Sequence, residues 1–109
     1  MQHGEKTYHV IVDPAANDRM SAHFEFLARI SKNAANRLLD GLLSDIRSLE
    51  SLPQRNPIYE RPYLPKGKYR YKVSCARYRI VYQIDGDHVF IDDIQDCRQA
   101  DDKSVLNPE

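Results

Sequence analysis

The chain predicts an α+β domain with an N-terminal strand and an antiparallel two-helix hairpin packed on a small antiparallel sheet. Three observations carry this expectation: a short N-terminal run of β-forming residues, two consecutive apolar stripes at helical spacing, and a C-terminal half whose period switches to two.

Thr7 to Val12 reads as the strand, with Tyr8, Val10 and Val12 on one face. Asp13-Pro14 follows as an N-cap with proline in the first helical turn. Met20, Phe24, Leu27 and Ile30 then form one apolar stripe, predicting a helix over 15–30. Ser31 caps a second helix over 32–52, whose stripe is Ala35, Leu38, Leu39, Leu42, Ile46 and Leu49, and Pro53 ends it. So few residues separate the stripes that the helices should be antiparallel neighbours. Residues 53–67 hold four of the six prolines and read as a rigid loop. From Lys68 the chain alternates. Lys68, Arg70 and Lys72 interleave with Tyr69, Tyr71 and Val73, then Tyr78, Ile80, Tyr82 and Ile84 with Arg77, Arg79 and Gln83. Asp85-Gly86-Asp87 is a hairpin turn into a third run, His88 to Ile94. An antiparallel sheet covered on one face leaves the other wet. That arrangement gathers Lys68, Arg70, Lys72, Arg77 and Arg79 on the solvated face. Exposed there, Arg79 should be removable without harm to the fold.

The 109 residues fit one domain, 1–109, with 1–6 and 100–109 as flexible ends. Hydrophobic residues at 41% and charged ones at 29% are ordinary for a soluble protein, and no run is long enough to span a membrane. The polar stretch from Met1 to Thr7 lacks a signal-peptide core, so the expected location is the cytoplasm. Cys75 and Cys97 form no metal-binding spacing and read as small unpaired hydrophobes; neither metal nor other cofactor is expected. The zero net charge hides an asymmetry: residues 54–84 carry eight Lys/Arg against Glu60 alone, while 85–109 carry two against eight Asp/Glu. A local basic block suits an anionic partner, although the acidic tail could neutralise it within the molecule.

The run Lys68-Tyr69-Arg70-Tyr71-Lys72-Val73, followed by Tyr78-Arg79-Ile80-Val81-Tyr82-Gln83-Ile84, resembles the central hairpin of RelE/ParE toxins. Val89-Phe90-Ile91 with Ile94-Gln95-Asp96-Cys97-Arg98 is similar to that superfamily's last strand and its arginine motif. Ile46-Arg47-Ser48-Leu49 before Pro53 is similar to the end of its second helix. The resemblance covers residues 7–99. It implies the toxin half of a type II toxin–antitoxin module, a growth inhibitor of the plasmid-stabilization kind, silenced by a cognate antitoxin that masks its working surface.

Within that superfamily, RelE-like members cleave mRNA in the ribosomal A site, whereas ParE-like members poison DNA gyrase without cleaving RNA. The expected activity is the former, a ribosome-dependent mRNA interferase with the ribosome and mRNA as partners. Metal-free cleavage needs a base at the 2′-hydroxyl, cations on the phosphorane and an acid at the leaving oxygen. By resemblance, Arg70, Lys72, Arg79 and Arg98 occupy the catalytic positions: Arg79 and Arg98 on the scissile phosphate, Arg70 and Lys72 on RNA, with Lys72 a substitute base. Lys68, Arg77 and Arg61 add RNA contacts, and Tyr59 and Tyr63 could stack on bases or anchor their loop. The chain departs from the RelE pattern at its C-terminus, where Ser104 stands near the place of a tyrosine, and the acidic cluster Asp92, Asp93 and Asp96 would repel RNA or pair with arginines. The alternatives are a ParE-like gyrase inhibitor, which the long helical hairpin favours, and a family member that has lost toxicity.

Overall fold

A computed structural model describes residues 6–98. The elements in order are β1 (His9–Val12), α1 (Pro14–Ala28), α2 (Lys32–Ser48), a 3-10 turn (Pro53–Arg55), β2 (Ile58–Tyr59), β3 (Tyr69–Ser74), β4 (Tyr78–Asp85) and β5 (His88–Asp96). One five-stranded sheet has the order β1-β5-β4-β3-β2. Strands β2 to β5 form an antiparallel meander, while β1 runs parallel to β5 with His9 opposite His88. The expected α+β arrangement is therefore present. The expected flexible ends lie outside the described residues, Lys6 apart.

Both helix starts follow from their caps. The Asp13 carboxylate accepts from the Ala15 N–H at 3.0 Å, and Ser31 Oγ accepts from the Ala34 N–H at 3.1 Å. Both helices end earlier than the apolar stripes suggest. In α1 the N–H groups of Ile30 and Ser31 both turn back to Leu27 O, which leaves Ile30 71% exposed. In α2 the N–H groups of Leu49, Glu50 and Ser51 bond three residues back, a tightening of the last turn. Leu52 then takes a left-handed conformation, φ 49° and ψ 53°, which ends the helix, and the proline that follows it disfavours any right-handed continuation.

The main core lies between the helices and one sheet face. Leu38, Leu42, Ile46 and Leu49 of α2 and its cap meet Ile80, Tyr82, Val89, Ile91 and Ile94, with Ala16 and Met20 from α1. Each such Leu or Ile contributes about 1.5–3 kcal/mol by burial, enough to fix which face of the sheet is covered. A second, smaller cluster sits on the other face. Tyr59, Tyr69 and Val81 are buried there, with Leu64 and Tyr71 packed against them. The proline-rich segment is thus more than a loop, since its 3-10 turn, its two-residue strand and Leu64 cover sheet surface. The two cysteines are free and exposed, not buried hydrophobes. No described helix is long and apolar enough to cross a membrane.

Candidate functional site

Side chains alternate across a strand, so the hairpin β3–β4 decides which cations share a face. Its register pairs Ser74 with Tyr78, Lys72 with Ile80 and Arg70 with Tyr82. Residues 75–77 form the connection, with Cys75 and Ala76 at positive φ and the Arg77 N–H donating to Ser74 O at 3.2 Å. A two-residue turn would set Lys72 opposite Arg79. The extra residue shifts the parity, and a slip of one residue moves a whole strand's side chains to the other face. Arg70 and Lys72 therefore lie on the helix-covered face, and Arg79, paired with Val73, lies on the opposite one. The expected shared face of Arg70, Lys72 and Arg79 is not formed.

Each cation is instead committed locally. Arg70 Nη1 donates to Gln54 O at 3.0 Å and Asn56 O at 2.6 Å, tying the 3-10 turn to β3. Tyr82 completes this anchor, its hydroxyl donating to Pro53 O at 2.6 Å and accepting from Asn56 at 2.9 Å. Lys72 Nζ stands 4.0 Å from Asp45 of α2, whose other oxygen accepts from the buried Ser74 hydroxyl at 2.6 Å. Arg79 donates to Gln95 Oε1 at 2.7 Å and lies over the Tyr59 and Tyr71 rings at 5.6 and 5.8 Å. It is half-buried, so it supports the outer-face cluster and is not freely removable.

Arg77 and Arg98 converge on Asp96, each at 3.4 Å. Burial pushes the Asp96 carboxyl up. The Arg98 backbone and side-chain hydrogen bonds and the charges of Arg77 and Arg98 outweigh it and hold the carboxyl below its ordinary range. Of the acidic cluster, Asp96 thus pairs with arginines as one reading expected, while Asp92 accepts from the Gln83 amide at 2.6 Å. Arg61 and Lys68 stand over the Tyr59 and Tyr69 rings at 4.5 and 5.4 Å. Tyr59, 2% exposed, is an anchor for its loop and not a platform for bases.

A groove of about 580 Å³ runs between α1 and the end of β5, lined by Arg19, Ala22, His23, Phe26, Tyr78, Asp96 and Arg98. His23 Nε2 is 2.8 Å from Ile94 O, and its ring packs on Tyr78 at 5.0 Å. Burial, the largest influence on the Tyr78 phenol, raises its pKa despite the opposing charges of Arg77 and Arg98, so it stays protonated at neutral pH. Of the four predicted catalytic residues, only Arg98 lines this groove. Arg19 and Gln95 escaped the sequence reading, although both bind the fully buried Asp93: Arg19 Nε at 3.9 Å and Gln95 Nε2 at 3.0 Å. A hint was present in Asp92-Asp93, two adjacent carboxylates that break the alternation where β5 bulges against Val81/Tyr82. Among the described residues, no group of three or more His, Cys, Asp or Glu is placed to hold a metal ion.

The chain matches the family model of the ParE toxin of the type II toxin–antitoxin system parDE over residues 10–100. Its fold is similar to a solved chain from the chromosomal ParDE toxin–antitoxin system of P. aeruginosa. The TM-score is 0.66 at 12% identity, covering 83% of this chain and 96% of that one. No curated protein sequence matches. The expectation of an mRNA endonuclease is overturned by these matches, and the cations that were to serve it are divided between two sheet faces and a groove. With the family model spanning most of the sequence and the fold agreeing, the chain belongs to the ParE toxin family of type II toxin–antitoxin systems.

Proposed function

We propose that this ParE-type toxin inhibits growth in the cytoplasm by binding DNA gyrase, without catalysing a reaction of its own, and that a cognate antitoxin silences it. The family match over residues 10–100 carries this reading. The chemistry of the site supports it, because a binding toxin needs a shaped surface and not an acid, a base and clustered cations around one phosphate. Arg98, with 63% of its side chain exposed, and Arg61 and Lys68 are then partner contacts. Arg70, Lys72, Arg77 and Arg79 hold the fold that presents them.

The test is a supercoiling assay with purified gyrase and antitoxin-free toxin. Inhibition, together with a DNA-damage response on expression in cells, is the expected result, and added antitoxin should reverse both. Folded toxin that leaves supercoiling untouched at concentrations that arrest growth would exclude gyrase as the target. Folded toxin that neither inhibits gyrase nor arrests growth would identify a member that has lost toxicity.

A further inference from the structure

Away from the groove, the turn between β4 and β5 meets the start of β1, and two histidines stand side by side there. His9 and His88 are register partners across the parallel β1–β5 pair, with ring centroids 5.4 Å apart. His88 is held on two sides. Asp87 Oδ1 lies 2.9 Å from its Nδ1, and Phe90 stacks on its ring at 5.8 Å with the planes 12° apart. The backbone of His9 is fixed to the same turn, its N–H donating to Asp87 O at 2.9 Å. Both rings reach solvent: His9 is exposed, and 43% of the His88 side chain is accessible.

A carboxylate on Nδ1 is the device that orients metal-ligating imidazoles, because it holds the ring proton there and leaves the Nε2 lone pair outward. Two imidazoles bound tetrahedrally to one cation at about 2.1 Å place their ring centroids about 5 Å apart. The observed 5.4 Å between the two centroids matches that spacing. We infer that His9 and His88 form a two-histidine site for a borderline divalent transition cation such as Zn²⁺, with water completing the shell. Such a cation would join β1 to β5, its only sheet partner among the described residues. The inference is independent of the gyrase reading and stands or falls separately from it.

Thermal melts of the full chain with and without ZnCl₂ test it, in a His3→Ala background so that the N-terminal histidine makes no contribution. At about 1 mM ZnCl₂ the midpoint should rise by about 5 °C or more, and a chelator should reverse the rise. His9→Gln and His88→Gln should each lose the shift, with circular dichroism showing the fold retained. Asp87→Asn should keep binding but weaken it roughly tenfold. As a second readout, Zn²⁺ should move amide resonances around residues 9 and 87–90. No midpoint shift in the His3→Ala protein, a shift that survives either glutamine variant, or resonance changes centred elsewhere would overturn the site.

Discussion

Asp92 and Asp96 sit four residues apart on one strand, and their surroundings push them in opposite directions. Burial raises the Asp92 carboxyl, as do Asp13 and Asp93 nearby, against the opposing Gln83 hydrogen bond and Lys68 charge. A carboxyl raised in the fold holds its proton more tightly there than in the unfolded chain. It therefore favours the fold at low pH, and that advantage is lost as pH rises through the folded value. Asp96 is depressed, so its contribution is present above the unfolded aspartate value of about 3.9 and is lost as pH falls through its lower folded value. Melting temperatures should record the contrast. At neutral pH Asp92→Asn should raise the midpoint, because asparagine can still accept from Gln83 without a buried charge, and Asp96→Asn should lower it. Both differences should shrink once the pH is well below the aspartate range. The same sign for both variants at neutral pH would contradict these environments.

At the scale of elements, the contact between α2 and the β3–β4 turn makes an unusual demand on Gly41. A Cβ built at this position would lie 2.5 Å from Cys75 Sγ. Glycine inside a helix normally costs about 1 kcal/mol relative to alanine, so Gly41→Ala would ordinarily stabilise α2. Here overpacking should reverse the sign and cost about 1–3 kcal/mol. Cys75 holds φ 54°, a conformation that glycine adopts without strain, so Cys75→Gly removes both the obstruction and the backbone penalty. In the Cys75→Gly background Gly41→Ala should become neutral or stabilising. Denaturant unfolding of the four proteins measures that coupling, and additive effects would show that the helix and the turn do not compete for this space.

For the molecule as a whole, the sheet is covered on both faces, and its second cover is the proline-rich segment. Tyr59 is that cover's central anchor, buried against Tyr69 and Val81 with its hydroxyl 3.3 Å from Gln95. Tyr59→Ala should cost about 3–5 kcal/mol and make the 60–68 segment the first site of limited proteolysis. Cleavage beginning elsewhere would place the weak point outside this cover. The main layers were legible in the sequence because they rest on local signals: the caps at Asp13 and Ser31, the leucine stripe of α2, and the Asp-Gly turn. The second cover was not, because Tyr59 and Leu64 join a cluster with residues distant in the chain and no periodicity marks them. The parallel pairing of β1 with β5 was equally hidden, since a four-residue strand carries no sign of its direction. For the basic residues the sequence showed their alternation, but the face each occupies depends on the length of a turn.

That three-residue connection between Ser74 and Tyr78 bears on how such chains diverge. Loss or gain of a single codon there would turn one strand of the hairpin over relative to the other, exchanging the arginines and lysines it offers to solvent for those it commits to the helices. Two relatives with the same basic residues in the same linear order can therefore carry different working surfaces. Functional positions can be transferred across this hairpin only between chains whose turn lengths agree in parity.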